Sequence, residues 1–425
     1  MDNTNIISNE MEYLTRLFAC AARGGAVPEP KHTVNWDKLI KLAREQTVTL
    51  TVASALCKAQ NSPCPAEVKA KLYGELIGTA LKRKIQQENI FSLLEHMQSC
   101  GIQYTLLKGA DVARYYAVPE CRISADTDIL ISPNDEQKAY DFFKKEGFAV
   151  TPCEKGDSHA VCSSAKYGLI ELHLRLWSDE IEKYVFHGKG IKTETCATVI
   201  CNHTVNVLEP TYAAVYLTMH LVKHFVYSGI NLRILMDTAL YISNNTDSID
   251  FDYYNKIANE LKYNKIIACL FAIATEYLGI DKQSLPQMNV PVSREQIDLI
   301  MQDTEQGGFM GANETESRWY VYLNFINAKQ MQAKPVPLRV ITRMGLFFKR
   351  TFRAVFPAVR QLSVRYPGIE AHKWRYPFYA LHRLIFVMGK RLSSGKIGEN
   401  INAQYALPGS AEQKRLNLLK NIDII

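Results

Sequence analysis

No stretch of this chain approaches the roughly 20 uncharged apolar residues needed to cross a bilayer, so a membrane-spanning protein is not expected. The N-terminus, MDNTNIISNEMEYL, lacks a basic start followed by an apolar core, and so does not read as a secretory signal. The ten cysteines include no CxxC pair, which argues against zinc ribbons and disulfide frameworks and for reduced thiols in a cytoplasm. Internal repeats and low-complexity tracts are absent. Acids are scarce in one region. Between Arg318 and Asn400, sixteen lysines and arginines face only Glu370 and Glu399, a balance of +14 in a chain whose total is +7, which leaves −7 for the rest. That asymmetry predicts an anionic partner for the C-terminal part, either a membrane surface or nucleic acid.

The chain has 425 residues, 47% of them apolar, enough for two or three folded domains. Apolar residues recur at helical spacing over Glu10–Ala22, Trp36–Gln46, Thr51–Ala59 and Pro65–Ser99, making residues 1–100 a helical region. From Gly101 the pattern changes. Ile102–Leu107, Thr127–Ser132, Phe148–Pro152, Ala160–Ser163 and Leu169–Leu174 are strand candidates, with helices expected at Ala110–Ala117 and from Pro133 to about Gly147. Residues 101–208 therefore predict a mixed sheet packed on helices. Helices are expected again over 209–280, a polar linker or mobile loop over 281–317, and a basic helical region over 318–425.

Asp126-Thr127-Asp128 opens an apolar strand, so both carboxylates fall on one face. Glu171-Leu172-His173 repeats the spacing on a later strand, and three carboxylates converge if the two strands are neighbours. Hard oxygen donors without nearby cysteine or paired histidine suit Mg²⁺ or Mn²⁺ rather than zinc. Such a cluster can hold two ions roughly 3.5–4 Å apart. Their like charges also predict that the metal-free protein gains stability when Asp126 and Asp128 are both replaced by alanine. Lys108-Gly109-Ala110 lies between a strand and a helix, where Gly109 allows close backbone approach, the helix N-terminus offers N–H groups to a phosphate, and Lys108 adds charge. Arg122 and His173 complete the candidate nucleotide-binding set.

The run LLKGADVARYY, then RISADTDILIS, then IELHLRL resembles the uncharacterised nucleotidyltransferase family of the DNA polymerase β-like superfamily. The helices MHLVKHF and LRILMDTAL, with His220, Lys223, His224, Arg233 and Asp237, extend the resemblance to about residues 10–280. It implies an α+β fold with a small mixed sheet between helical regions, Asp126 and Asp128 as metal ligands, and Glu171 as the third acid, which assists proton removal from the attacking hydroxyl. It also implies transfer of a nucleoside monophosphate from an NTP to an acceptor hydroxyl. The family's superfamily has Gly-Gly or Gly-Ser where this chain has Lys-Gly-Ala, so the serine contact to phosphate is missing and Lys108 is the residue in its place.

Blander roles compete for several residues. His173 shares a face with Glu171 and either orients it, contacts substrate or serves equally as a core histidine, while His159 carries a weaker signal. Arg122 reads as a positioning or surface residue rather than a catalytic one. His220 and His224, four apart, are expected to hydrogen-bond structurally, since no glutamate follows His220 to make a zinc-protease motif. Lys223 defaults to a solvated lysine, and Arg233 with Asp237 to a helical ion pair. Phe347, Phe348, Phe352 and Phe356 interleave with Lys349, Arg350, Arg353 and Arg360, which fits a membrane surface, nucleic acid or a packed helical cap. A non-catalytic module held to an anionic partner by this region is the rival expectation, with a cytoplasmic or membrane-peripheral location.

Overall fold

The computed structural model describes residues 6–227, 229–307, 376–379 and 417–424. Contacts divide the chain into two units, Met1–Trp319 with Asn417–Ile425, and Tyr320–Leu416. Within the second unit the described residues, 376–379, form a helical turn. The aromatic and basic cluster expected from Phe347 to Arg360 lies outside the described residues. No helix among the described residues is long and apolar enough to cross a membrane.

The chain starts with α1 (Asn9–Arg23), α2 (Trp36–Glu45), α3 (Thr49–Lys58) and α4 (Ala66–Ser99). Local chemistry sets their ends. The Ser8 side chain accepts a hydrogen bond from Met11 N at the start of α1, Asn35 does the same for Lys38 N in α2, and Gly24 closes α1 in the left-handed conformation. The 34-residue α4 divides its work along its length. Its last turns bury Ile90, Phe91, Leu93, Leu94 and Met97 against the sheet, while Tyr73, Ile77, Leu81 and Ile85 are exposed.

The sheet is built from β1 (Tyr104–Leu107), β2 (Asp126–Ile131), β3 (Ala149–Thr151), β4 (His159–Ser164), β5 (Gly168–His173), β6 (Thr195–Ile200) and β7 (His203–Leu208), in the order β3-β4-β5-β2-β1-β7-β6. Helices α5 (Ala110–Ala113), α6 (Glu136–Lys145) and α7 (Asp179–Tyr184) are inserted between strands. β2 runs parallel to β5 and β1 parallel to β7, and the other pairs are antiparallel. The result is an α+β fold built on a mixed seven-stranded sheet. The β6–β7 hairpin was not among the expected strands. Its signal is a run of β-branched residues around Cys201-Asn202, whose φ angles of 51° and 66° make the two-residue turn that suits twisted strands.

Strand alternation sorts the two faces. Leu106, Ile129, Ile131, Ile170, Leu172 and Val207 point into the main core with the end of α4 and with Ala139 and Phe143 of α6. Asp126, Asp128, Glu171 and His173 have the opposite parity, so their side chains leave from the other face.

Beyond the sheet lie α8 (Pro210–Tyr227), α9 (Leu232–Asn244), α10 (Phe251–Leu261), α11 (Asn264–Glu276) and α12 (Arg294–Gly307). The last of these lies within the linker expected over 281–317 and shows residues 294–307 to be helical, while 308–317 lie outside the described residues. Ile297, Ile300, Met301 and Thr304 recur at helical spacing and are buried, which gives this polar stretch one apolar stripe and makes it pack as a helix.

Candidate active site

Strand pairing decides where the acidic residues sit. β2 and β5 are in register with Asp126 opposite Leu169 and Asp128 opposite Glu171, so two acids from sequence-distant strands become lateral neighbours. Asp126, Asp128 and Glu171 each present a carboxylate oxygen, and these atoms lie within 4.8 Å of one another. The three differ in access. The Asp128 side chain is 1% exposed and that of Glu171 is 25% exposed. Asp126 is half-buried, and its carboxylate accepts a hydrogen bond of 3.2 Å from the Ser124 hydroxyl.

Asp128 is the electrostatic centre. Its Oδ1 lies 3.1 Å from Lys108 Nζ and 3.1 Å from His173 Nε2. Burial by itself would raise the Asp128 pKa, but the Lys108 ammonium and His173 outweigh it and hold the carboxyl well below the usual carboxylate range. Burial likewise disfavours a charged His173, yet its hydrogen bonds to Asp128 and Glu171 keep the imidazole pKa above its ordinary value. Glu171 follows the same logic and is shifted down. His173 thus braces the two carboxylates, Nε2 lying 3.5 Å from Glu171 Oε2, which is the orienting role its shared face with Glu171 allowed. Lys108 and His173 beside Asp128 offset the like-charge repulsion expected among the acids of the metal-free protein.

The donor set fits a divalent cation. All three ligands are hard oxygens, and Asp128 Oδ2 is buried with no hydrogen-bond partner among the described residues. An uncompensated carboxylate oxygen at such a point costs free energy that a bound cation would recover.

The Lys108-Gly109 turn is strained at both residues. Lys108 has φ 41°, a left-handed value uncommon for a side-chain-bearing residue, and this conformation goes with the placement of its Nζ on Asp128. Gly109 has φ 56° and ψ −112°, a combination that L-residues avoid. A Cβ there would meet Leu107 O at 3.8 Å, an ordinary contact, so the obstacle is conformational. Gly109→Ala is accordingly expected to cost about 1–3 kcal/mol of stability, measured as a lowered urea midpoint, and to displace Lys108 from Asp128. The helix after the turn is shorter than expected. It ends at Ala113, and with four residues it sums too few peptide dipoles to act as a phosphate site, which leaves Lys108 as the charge the turn supplies.

Arg122 takes up a positioning role. It is 5% exposed, and its guanidinium donates to both carboxylate oxygens of Asp237, at 3.1 and 2.7 Å. Asp237 also accepts from Tyr116 Oη at 2.7 Å and pairs with Arg233 at 3.1 Å, the helical ion pair that the spacing predicted. Arg122 is therefore committed to a buried network that ties the β2 approach to α9, and is not available to a phosphate.

One residue given a blander role, and one given none, lie near the cluster. Lys223 on α8 is half-buried, with Nζ 5.7 Å from the Trp177 ring. Burial and the neighbouring Lys108 charge lower its pKa to about 8, against the upward pull of Asp128, Glu171 and Asp126. Its approach from α8 depends on tertiary packing, which explains why the helix pattern alone left it solvated. Arg83 on α4 donates to the Ser124 carbonyl just before β2, and helix spacing carried no hint of it. His220 and His224 do pair structurally, Nε2 to Nε2 at 3.0 Å, and burial lowers both pKa values well below the ordinary one.

A sequence profile described as "Uncharacterised nucleotidyltransferase" matches residues 32–279, which contain every residue of this cluster. Among solved structures, an antigenic nucleotidyltransferase-like protein from Paracoccidioides brasiliensis is similar at 13% identity, over 47% of this chain and 94% of that one, with a TM-score of 0.31. No curated protein matches the chain.

Proposed function

This chain belongs to the uncharacterised nucleotidyltransferase family, and on that premise we propose that it moves a nucleoside monophosphate from an NTP to an acceptor hydroxyl with release of pyrophosphate. The observation that carries the reading is the in-register pairing of β2 with β5, which sets Glu171 beside Asp128 and within 4.8 Å of Asp126. Mg²⁺ or Mn²⁺ bound by these three carboxylates would supply Lewis acidity toward the phosphates and toward the attacking hydroxyl.

The chain's own residues divide the remaining work. Asp128, sealed from solvent, fixes the electrostatics of the site through Lys108 and His173. Glu171 reaches solvent, so it is the acid that meets an acceptor and takes its proton. Lys108 and Lys223 bring positive charge from β1 and α8, where the negative charge of a triphosphate needs balancing. Held by the turn at Gly109, Lys108 is placed to trade its contact with Asp128 for one with a phosphate oxygen. The test incubates the purified chain with each labelled NTP, Mg²⁺ or Mn²⁺ and a cell extract. Metal-dependent transfer is expected, and the absence of both transfer and calorimetric NTP binding would overturn the assignment.

Lys223 gives this reading a pH signature. Burial, with the charge of Lys108, outweighs the pull of Asp128, Glu171 and Asp126 and lowers its pKa to about 8. Below that value it is an ammonium that attracts phosphate, and above it the charge is lost. NTP affinity is expected to weaken as pH rises through about 8, and Lys223→Arg should move that fall to higher pH. Binding isotherms from pH 6.5 to 9.5 check it, and identical profiles for the two proteins would remove Lys223 from the site.

The +14 balance of residues 318–400 supports an anionic partner. Binding to anionic vesicles or to oligonucleotides that weakens steeply with salt is the expected behaviour. Such binding without nucleotide transfer would favour a non-catalytic module.

A further inference from the structure

We propose that the chain holds a zinc-class ion, Zn²⁺ or Co²⁺, at His159, Glu171 and His173, beside the three-carboxylate position and sharing Glu171 with it. The β4–β5 hairpin places His159 directly opposite His173, and both rings come to the same carboxylate. His159 Nε2 is 3.8 Å from Glu171 Oε1, and His173 Nε2 is 3.5 Å from Glu171 Oε2. One donor atom from each of the three residues lies within 4.8 Å of the others, close enough that small side-chain rotations bring all three to an ion about 2.0–2.2 Å from each ligand. The ring centroids are 5.0 Å apart and the rings are tilted by 39°, so the imidazoles converge without stacking.

The surroundings suit ligation. Ser158 Oγ is 3.1 Å from His159 Nδ1. With the proton on Nδ1 donated to that hydroxyl, the Nε2 lone pair points to Glu171, which is how outer hydrogen bonds orient metal-binding histidines. His159 is 31% exposed, which gives an ion a way in and leaves room for a further ligand such as water or a phosphate oxygen. His173 Nε2 now hydrogen-bonds Asp128 Oδ1 at 3.1 Å, and in binding an ion it would leave that oxygen to Lys108, also at 3.1 Å.

The chemistry separates this position from its neighbour. Two imidazoles and one carboxylate favour zinc-class ions over Mg²⁺, whereas three carboxylates favour Mg²⁺ or Mn²⁺. Glu171 is common to both positions, so occupancy of one is felt at the other. The inference stands on the imidazoles and does not require nucleotide transfer to occur.

The test uses the full chain stripped with a chelator and titrated with Co²⁺, read by its visible d–d absorption. One Co²⁺ per chain with the intense bands of four- or five-coordination is expected, displaced by Zn²⁺. His159→Ala should remove those bands and weaken Zn²⁺ by more than the roughly 10–100-fold that loss of an outer partner costs. Asp126→Ala should keep the bands while losing the Mg²⁺-dependent position. Near-UV circular dichroism confirms the fold of each variant, and histidine-selective ¹⁵N labelling of the unaltered chain reads two imidazole nitrogens shifted by Zn²⁺. Unchanged binding in His159→Ala, weak six-coordinate absorption in the parent chain, absence of the paired nitrogen shifts, or loss of the bands in Asp126→Ala would each overturn the site. Failure to transfer a nucleotide leaves all of these readouts intact.

Discussion

Asp128→Ala is expected to abolish nucleotide transfer and to destabilise the metal-free protein in one step. The catalytic loss follows from removing a sealed ligand of the proposed cation and the partner of Lys108, and is expected to reach about 10²–10³-fold or more in kcat. The stability loss has a separate cause. Without the carboxylate, Lys108 loses its ion-pair partner in a largely buried setting and His173 is left with Glu171 alone. Removing one partner of a buried pair typically costs about 3–5 kcal/mol. Lys108 is 16% exposed and can turn partly to water, which favours the lower end. Asp126→Ala is the control. That residue's carboxylate is held by the Ser124 hydroxyl, so its variant is expected to lose transfer with a much smaller change in urea midpoint. Equal midpoints for the two variants in the absence of metal would refute the role assigned to Asp128.

Asp237→Ala is expected to have the largest effect on stability alone. The carboxylate accepts two hydrogen bonds from Arg122 and one from Tyr116 and pairs with Arg233, all in a buried setting. Its loss strands Arg122, which has nowhere to turn at 5% exposure. A cost of about 3–5 kcal/mol is expected, lowering Tm by on the order of 10 °C. Arg122→Ala should be similarly damaging, and the double variant less so than the sum, since neither charge is then left alone. Burial raises the Asp237 pKa, but Arg122 and Arg233 outweigh it and lower the net value. A lowered carboxyl contributes stability above its unfolded pKa near 3.9 and loses it as pH falls through the folded value, so the gap between the parent chain and Asp237→Ala should close in acid. If Arg122 instead served a phosphate, Arg122→Ala would raise KM for the NTP with little change in Tm.

Local pattern already determined much of this protein. Strand alternation put Asp126 and Asp128 on one face, and did the same for Glu171 and His173. Helical spacing paired Arg233 with Asp237 and His220 with His224. These follow from the geometry of single elements, so neighbouring residues suffice to specify them. The Lys-Gly turn was likewise visible, because a glycine between strand and helix marks a backbone that L-residues resist.

Tertiary structure decided the rest. Nothing local says that β5 pairs with β2, which requires the chain to return past α6, β3 and β4 before Glu171 meets Asp128. The fate of Arg122 hung on Asp237, 115 residues away, and a buried carboxylate binds a guanidinium more strongly than a loop can keep it facing solvent. The docking of α8 set Lys223 beside Trp177 and within electrostatic reach of the carboxylates. His159 gained its chemistry from the hairpin register that sets it opposite His173. Residue type and face are written locally because they depend on bond geometry. Which charges meet is written in long-range packing, where burial makes each pairing matter.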